Sequence, residues 1–89
     1  MTPATRELFR IALLRILEAN ETRYGLSATA VAMHVGVYGF RGVSEDTILA
    51  ELRYLFDKGF VATPVKELSP ENKTWQITAN GRDWLATNG

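Results

Sequence analysis

The stretch 43–60, VSEDTILAELRYLFDKGF, constrains this chain more than any other, because the start, stripe and stop of a helix all agree there. Ser44 stands where an N-cap should be, its hydroxyl able to accept from a free backbone N–H of the first turn. Val43 before it and Ile48 after it have the spacing of a hydrophobic staple. Glu45 and Asp46 set negative charge at the positive end of the helix dipole. Ile48, Leu49, Leu52, Leu55 and Phe56 recur at helical spacing and make one apolar stripe. Lys58 lies in the last turn, Gly59 suits the left-handed position beyond it, and Phe60 is placed to fold back on Leu55. The pattern predicts a helix over 44–58 with Ile48, Leu52, Leu55 and Phe56 inward. Asp46, Thr47, Ala50, Arg53, Tyr54 and Asp57 then face outward.

The rest of the chain divides around that helix. Thr2 with Pro3 starts an N-terminal helix, Thr5 being the alternative cap, and Asn20 ends it after about Ala19. Leu8, Phe9, Ala12, Leu13, Ile16 and Leu17 fall on one apolar face. Ile11 and Leu14 fall on the far side among Glu7, Arg10 and Glu18, which suggests a second buried contact, such as a partner helix. A polar connection over 21–25 leads to Ser27, the expected cap of a second helix reaching Val37 or Tyr38, with Val31, Val35 and Tyr38 as its stripe. Residues 39–42 form the turn into the 44–58 helix. After it, 61–65 reads as a strand, 66–73 as a polar loop turning at Leu68, Ser69 and Pro70, and 74–78 as a returning strand. Pro64 cannot donate to a ladder and belongs on an edge. Trp75 and Ile77 alternate with polar neighbours, as a half-buried strand requires. Thr78 can cap a last short helix carrying Trp84 and Leu85.

Composition narrows the chemistry. A chain of 89 residues with 46% apolar content suits one domain over residues 1–89. Without cysteine there is no disulfide, thiolate metal site or cysteine nucleophile. His34 has no carboxylate at the spacing of a metal ligand pair, so no metal or other cofactor is expected. No nucleophile–base set or phosphate-cradling loop can be assembled, which argues against an enzyme. No apolar run approaches the roughly 20 residues of a membrane span. Arg6, Glu7 and Arg10 interrupt any signal-peptide pattern, so a cytoplasmic protein is expected. Ten basic and ten acidic residues cancel, so any nucleic-acid footprint must be local.

A capped helix running into a two-stranded ribbon is the core of a winged helix-turn-helix. The expected fold is therefore mainly α with a small β-ribbon (α+β): a three-helix core, a hairpin wing over 61–78 and a short C-terminal helix. The run LRYLFDKGFV, the polar loop and WQITANGRDWL resemble winged-helix regulators of the PadR, ArsR and MarR type. Leu52, Leu55, Gly59, Trp75, Thr78, Gly81 and Leu85 occupy that pattern. The layout as a whole resembles small ArsR-like winged-helix proteins of Mu-like prophages. The resemblance implies DNA binding and transcription regulation, with the 44–58 helix as the recognition helix. Metal sensing of the ArsR kind is not carried over, since its thiolates are absent. The tail after Gly81 is shorter than the dimerisation helices of PadR and MarR proteins.

In that frame Thr47 would donate to a base edge, Ala50 would approach a thymine methyl, and Arg53 would reach guanine or phosphate. Tyr54 shares the outward face. Arg41, Lys66 and Lys73 suit phosphate contacts on double-stranded DNA. A homodimer would use the N-terminal helix and the tail, through Ile11, Leu14 and Trp84. Against the DNA reading stand Glu45, Asp46 and Glu51, which would repel phosphates. The competing reading is a winged-helix protein–protein interaction module without DNA binding, motivated by zero net charge and by Ile11 and Leu14.

Overall fold

Among the described residues, each α-helix N-terminus is closed by one hydroxyl side chain that the sequence marks for it, Thr78 among them. The computed structural model describes residues 1–65 and 73–89. Among these, the helices are α1 (Pro3–Ala19), α2 (Ala28–Val35), α3 (Glu45–Asp57) and α4 (Ala79–Asn88). Their caps are Thr2, Ser27, Ser44 and Thr78, whose oxygens accept from the N–H groups of Thr5, Ala30, Thr47 and Gly81. These bonds satisfy donors that a helix leaves open at its start. The α3 C-terminus closes as its sequence predicts. The Phe60 N–H donates to the Leu55 carbonyl at 2.9 Å and the Gly59 N–H to that of Phe56, with Gly59 at φ +81°.

A small antiparallel sheet in the order β1-β3-β2 completes an α+β fold. β2 (Val61–Ala62) pairs with the far end of β3 (Thr74–Ile77), Val61 opposite Ile77. β2 is shorter than the 61–65 expected; beyond Ala62 comes Pro64, which has no N–H for a ladder. β1 (Leu26–Ser27) takes the other edge of β3, Leu26 opposite Trp75. Sequence patterning assigns the segment before it to a plain connection. Gly25 allows the approach. At φ +76°, a Cβ there would stand 2.6 Å from the Trp75 carbonyl oxygen. The expected loop turn at Leu68, Ser69 and Pro70 lies outside the described residues.

α1 contacts α2, α3, α4 and β3, so its buried face is wide and centres on Leu13. Leu14 is 0% exposed and joins the core cluster with Leu17, Leu55 and Leu85. This corrects the placement of Leu14 on a far side. The helix is rolled toward α4, which folds back onto it, and Leu8 is left 60% exposed instead. Ile11 is half-buried against the core. α2 ends earlier than expected, in a 3₁₀ turn over Gly36–Tyr38 that leaves Tyr38 exposed rather than on the buried stripe. The core also holds Phe9, Ile16, Val31, Ile48, Leu52, Trp75 and Ile77. Among the described residues no helix is long and apolar enough to cross a membrane.

Candidate nucleic-acid interface

The inner and outer sides of α3 are set by three fully buried residues, Ile48, Leu52 and Leu55. Residues on the opposite side of a helix, half a turn away, must face outward. Asp46, Ala50, Arg53 and Asp57 do so, and the described chain leaves them exposed. Asp46, Leu49, Ala50 and Arg53 line one shallow depression. Arg53 also borders a cleft with Phe56, Asp57, Thr63, Lys73 and Trp75, between α3 and the β2–β3 ribbon.

The other expected contacts are placed differently. Thr47 is half-buried and engaged in the cap, its hydroxyl 3.0 Å from the Ser44 hydroxyl. Tyr54 is turned to the α1 side, where the Arg10 guanidinium lies 3.6 Å from its ring centroid. That distance is a cation–π contact. Arg41 is exposed in the turn before α3. Lys73, just before β3, holds its ammonium 5.7 Å from the Trp75 ring centroid. Lys66 lies outside the described residues.

The carboxylates also separate. Glu51, expected among three acids near the bound phosphates, is 8% exposed and faces α1. Arg10 Nε donates to it at 2.6 Å, and Arg6 Nε lies 3.4 Å from its other oxygen. Glu45 accepts from the Thr29 hydroxyl of α2 at 3.0 Å. Asp46 and Asp57 remain on the outer side together with Arg53.

The three residues expected at a dimer interface are not brought together. Leu14 is enclosed by the chain's own core and cannot contact a partner while this packing holds. Trp84 stacks on Phe60, with centroids 5.4 Å apart, and borders a hollow near Arg10, Tyr54 and Lys58. Ile11 borders a different hollow, with Leu8, Ala12, Arg15, Tyr38 and Phe40. Phe40 meets the Phe9 ring edge-on at 5.0 Å, so it serves packing.

Sequence reasoning missed Leu49 and Phe56. The sequence pattern puts Phe56 inward and Leu49 on the apolar stripe, yet both are exposed on one flank of α3. The signal was present for Leu49. Ile48, Leu52 and Leu55 already fill a stripe, and Leu49 lies about 100° from Ile48. For Arg6 and Arg10 no local signal existed, since their partner lies on another helix. Among the described residues, no three His, Cys, Asp or Glu side chains gather as a metal-binding group. Neither a family model nor a curated protein matches the chain.

Proposed function

We propose that this chain is a winged helix-turn-helix protein that binds duplex DNA as a cytoplasmic regulator. α3 enters the major groove and the β2–β3 ribbon lies along the adjacent backbone as the wing. The observation that carries the reading is the outer side of α3. It is uncovered by the described chain, small at its centre (Ala50), and has Arg53 on it; Lys73 borders the cleft next to Arg53, and Arg41 is exposed in the turn before the helix. A groove-entering helix needs that shape and those cations. Withdrawal of Glu51 into its pair with Arg6 and Arg10 removes one source of phosphate repulsion. The role is binding rather than catalysis.

Zero net charge limits the sequence-independent part of the affinity, so non-specific dissociation constants fall at or above the usual ~10⁻⁴ to 10⁻⁶ M at physiological salt. Titration of a fluorescent random-sequence duplex at two salt concentrations tests the reading. Binding that weakens steeply with added salt is expected. Absence of binding at low salt contradicts it.

One observation favours a second reading, a winged-helix docking module without DNA binding. Leu8, Ile11 and Tyr38 bring partly exposed apolar surface to one hollow between α1 and the 3₁₀ turn. A protein, a second copy of this chain included, would cover it. A sedimentation-velocity series over concentration, with Leu8→Glu as the control, reads this directly: self-association that the variant abolishes favours it.

A further inference from the structure

Of the six outward residues of α3 named from sequence, the structure occupies two. Thr47 is bonded into the cap and Tyr54 lies under Arg10. Asp46, Ala50, Arg53 and Asp57 remain. The first three, with Leu49 beside them, follow helical spacing i, i+3, i+4 and i+7 along one shallow depression. Neither Asp46 nor Arg53 makes a side-chain hydrogen bond or ion pair among the described residues. The strip therefore runs from an acceptor, through two apolar side chains, to a forked donor.

Resting on the DNA-binding reading, we infer that this strip selects a short major-groove site with a cytosine amino group at one end, a thymine methyl in the middle and a guanine at the other end. The lengths agree. Asp46 to Arg53 covers about 10 Å of helix axis at about 1.5 Å per residue. That is about three base pairs at about 3.4 Å each. The chemistry follows position by position. A carboxylate only accepts, and in the major groove cytosine offers the N4 amino donor while guanine offers only acceptors. Asp46 thus favours cytosine and penalises guanine. Leu49 and Ala50 have no polar atom to satisfy a base edge, so the thymine methyl is their match. Arg53 presents two donors to the N7 and O6 acceptors of guanine. Arg41 and Lys73 act on the phosphates and fix register without reading sequence.

The acid makes the inference distinctive. A residue near phosphates that reads a base by accepting costs general affinity while adding discrimination. Asp46→Asn removes the charge and keeps the shape. It raises affinity for random duplex and lowers the preference at the cytosine position by about tenfold. Arg53→Ala removes the guanine preference by about tenfold. Deoxyuridine in place of thymine deletes one methyl from the DNA alone and weakens binding several-fold, with no change to the protein.

The experiment is a selection of the full chain on randomised duplexes at low salt, followed by anisotropy titrations of the enriched duplex with the wild type and both variants. All three proteins are checked for equal thermal stability. The expected result is an enriched cytosine–thymine–guanine block whose ends respond separately to Asp46→Asn and Arg53→Ala. Salt-sensitive binding with no enriched block, or a block that both variants select unchanged, overturns this inference and leaves the DNA reading standing. Absence of salt-sensitive binding to any duplex overturns the DNA reading and this inference with it.

Discussion

The two flanks of α3 share one backbone and differ in everything done with it. On the flank toward α1, each polar or aromatic group has a partner: Glu51 with Arg10 and Arg6, and Tyr54 with Arg10 and Lys58. On the outer side, Asp46 and Arg53 lie at comparable spacing, yet neither is held among the described residues. Both sides carry charge: Glu51 on the flank toward α1, and Asp46, Arg53 and Asp57 on the outer side. What separates them is a second helix. Where α1 lies alongside, charge becomes fold; where no other described element lies alongside, charge is available to a ligand.

Five single substitutions test that division, from the largest expected effect down, with Leu8→Ala as the control for the first. Leu14→Ala empties a fully enclosed position and should cost about 4 kcal/mol in urea unfolding. Leu8→Ala, on the opposite side of the same helix, should stay within about 0.5 kcal/mol. Equal effects would break the assignment of which side of α1 is buried. Glu51→Ala leaves two arginines without their carboxylate and should cost about 3 kcal/mol, since breaking a largely buried pair exposes the partner's desolvation. A double-mutant cycle with Arg10→Ala measures the coupling itself. A loss below about 1 kcal/mol would mean that the inner flank is no more committed than the outer. Ser44→Ala deletes the α3 cap and should cost about 1 kcal/mol, a fall of about 4–8 °C in melting temperature. Arg53→Ala should move stability by no more than about 0.5 kcal/mol while weakening DNA binding. Destabilisation on the scale of Glu51→Ala would place Arg53 in the fold rather than in the interface.

Local signals were the legible part of the sequence. The caps at Thr2, Ser27, Ser44 and Thr78 and the stop at Gly59 depend on neighbours within a few residues, and each forms as its spacing predicts. Long-range placement was not legible. β1 is two residues long and is a strand only because β3 pairs with it. The roll of α1, which buries Leu14 and exposes Leu8, depends on α4 from the other end of the chain. Glu51 reads as a solvated acid until Arg10 is brought to 2.6 Å from it. For the candidate interface, helical spacing correctly put Ala50 and Arg53 outward. It could not tell that Thr47 and Tyr54 were taken, because one is used by a cap and the other by a neighbouring helix.

The division between a committed flank and an available one is tested most directly by mapping amide chemical shifts while duplex DNA is titrated into labelled protein. The account predicts shifts at Asp46, Leu49, Ala50 and Arg53, with Arg41 and Lys73 beside them, while Glu51, Leu8 and Ile11 stay still. Shifts gathered around Leu8, Ile11 and Tyr38 instead, or no shift at saturating duplex, would contradict it.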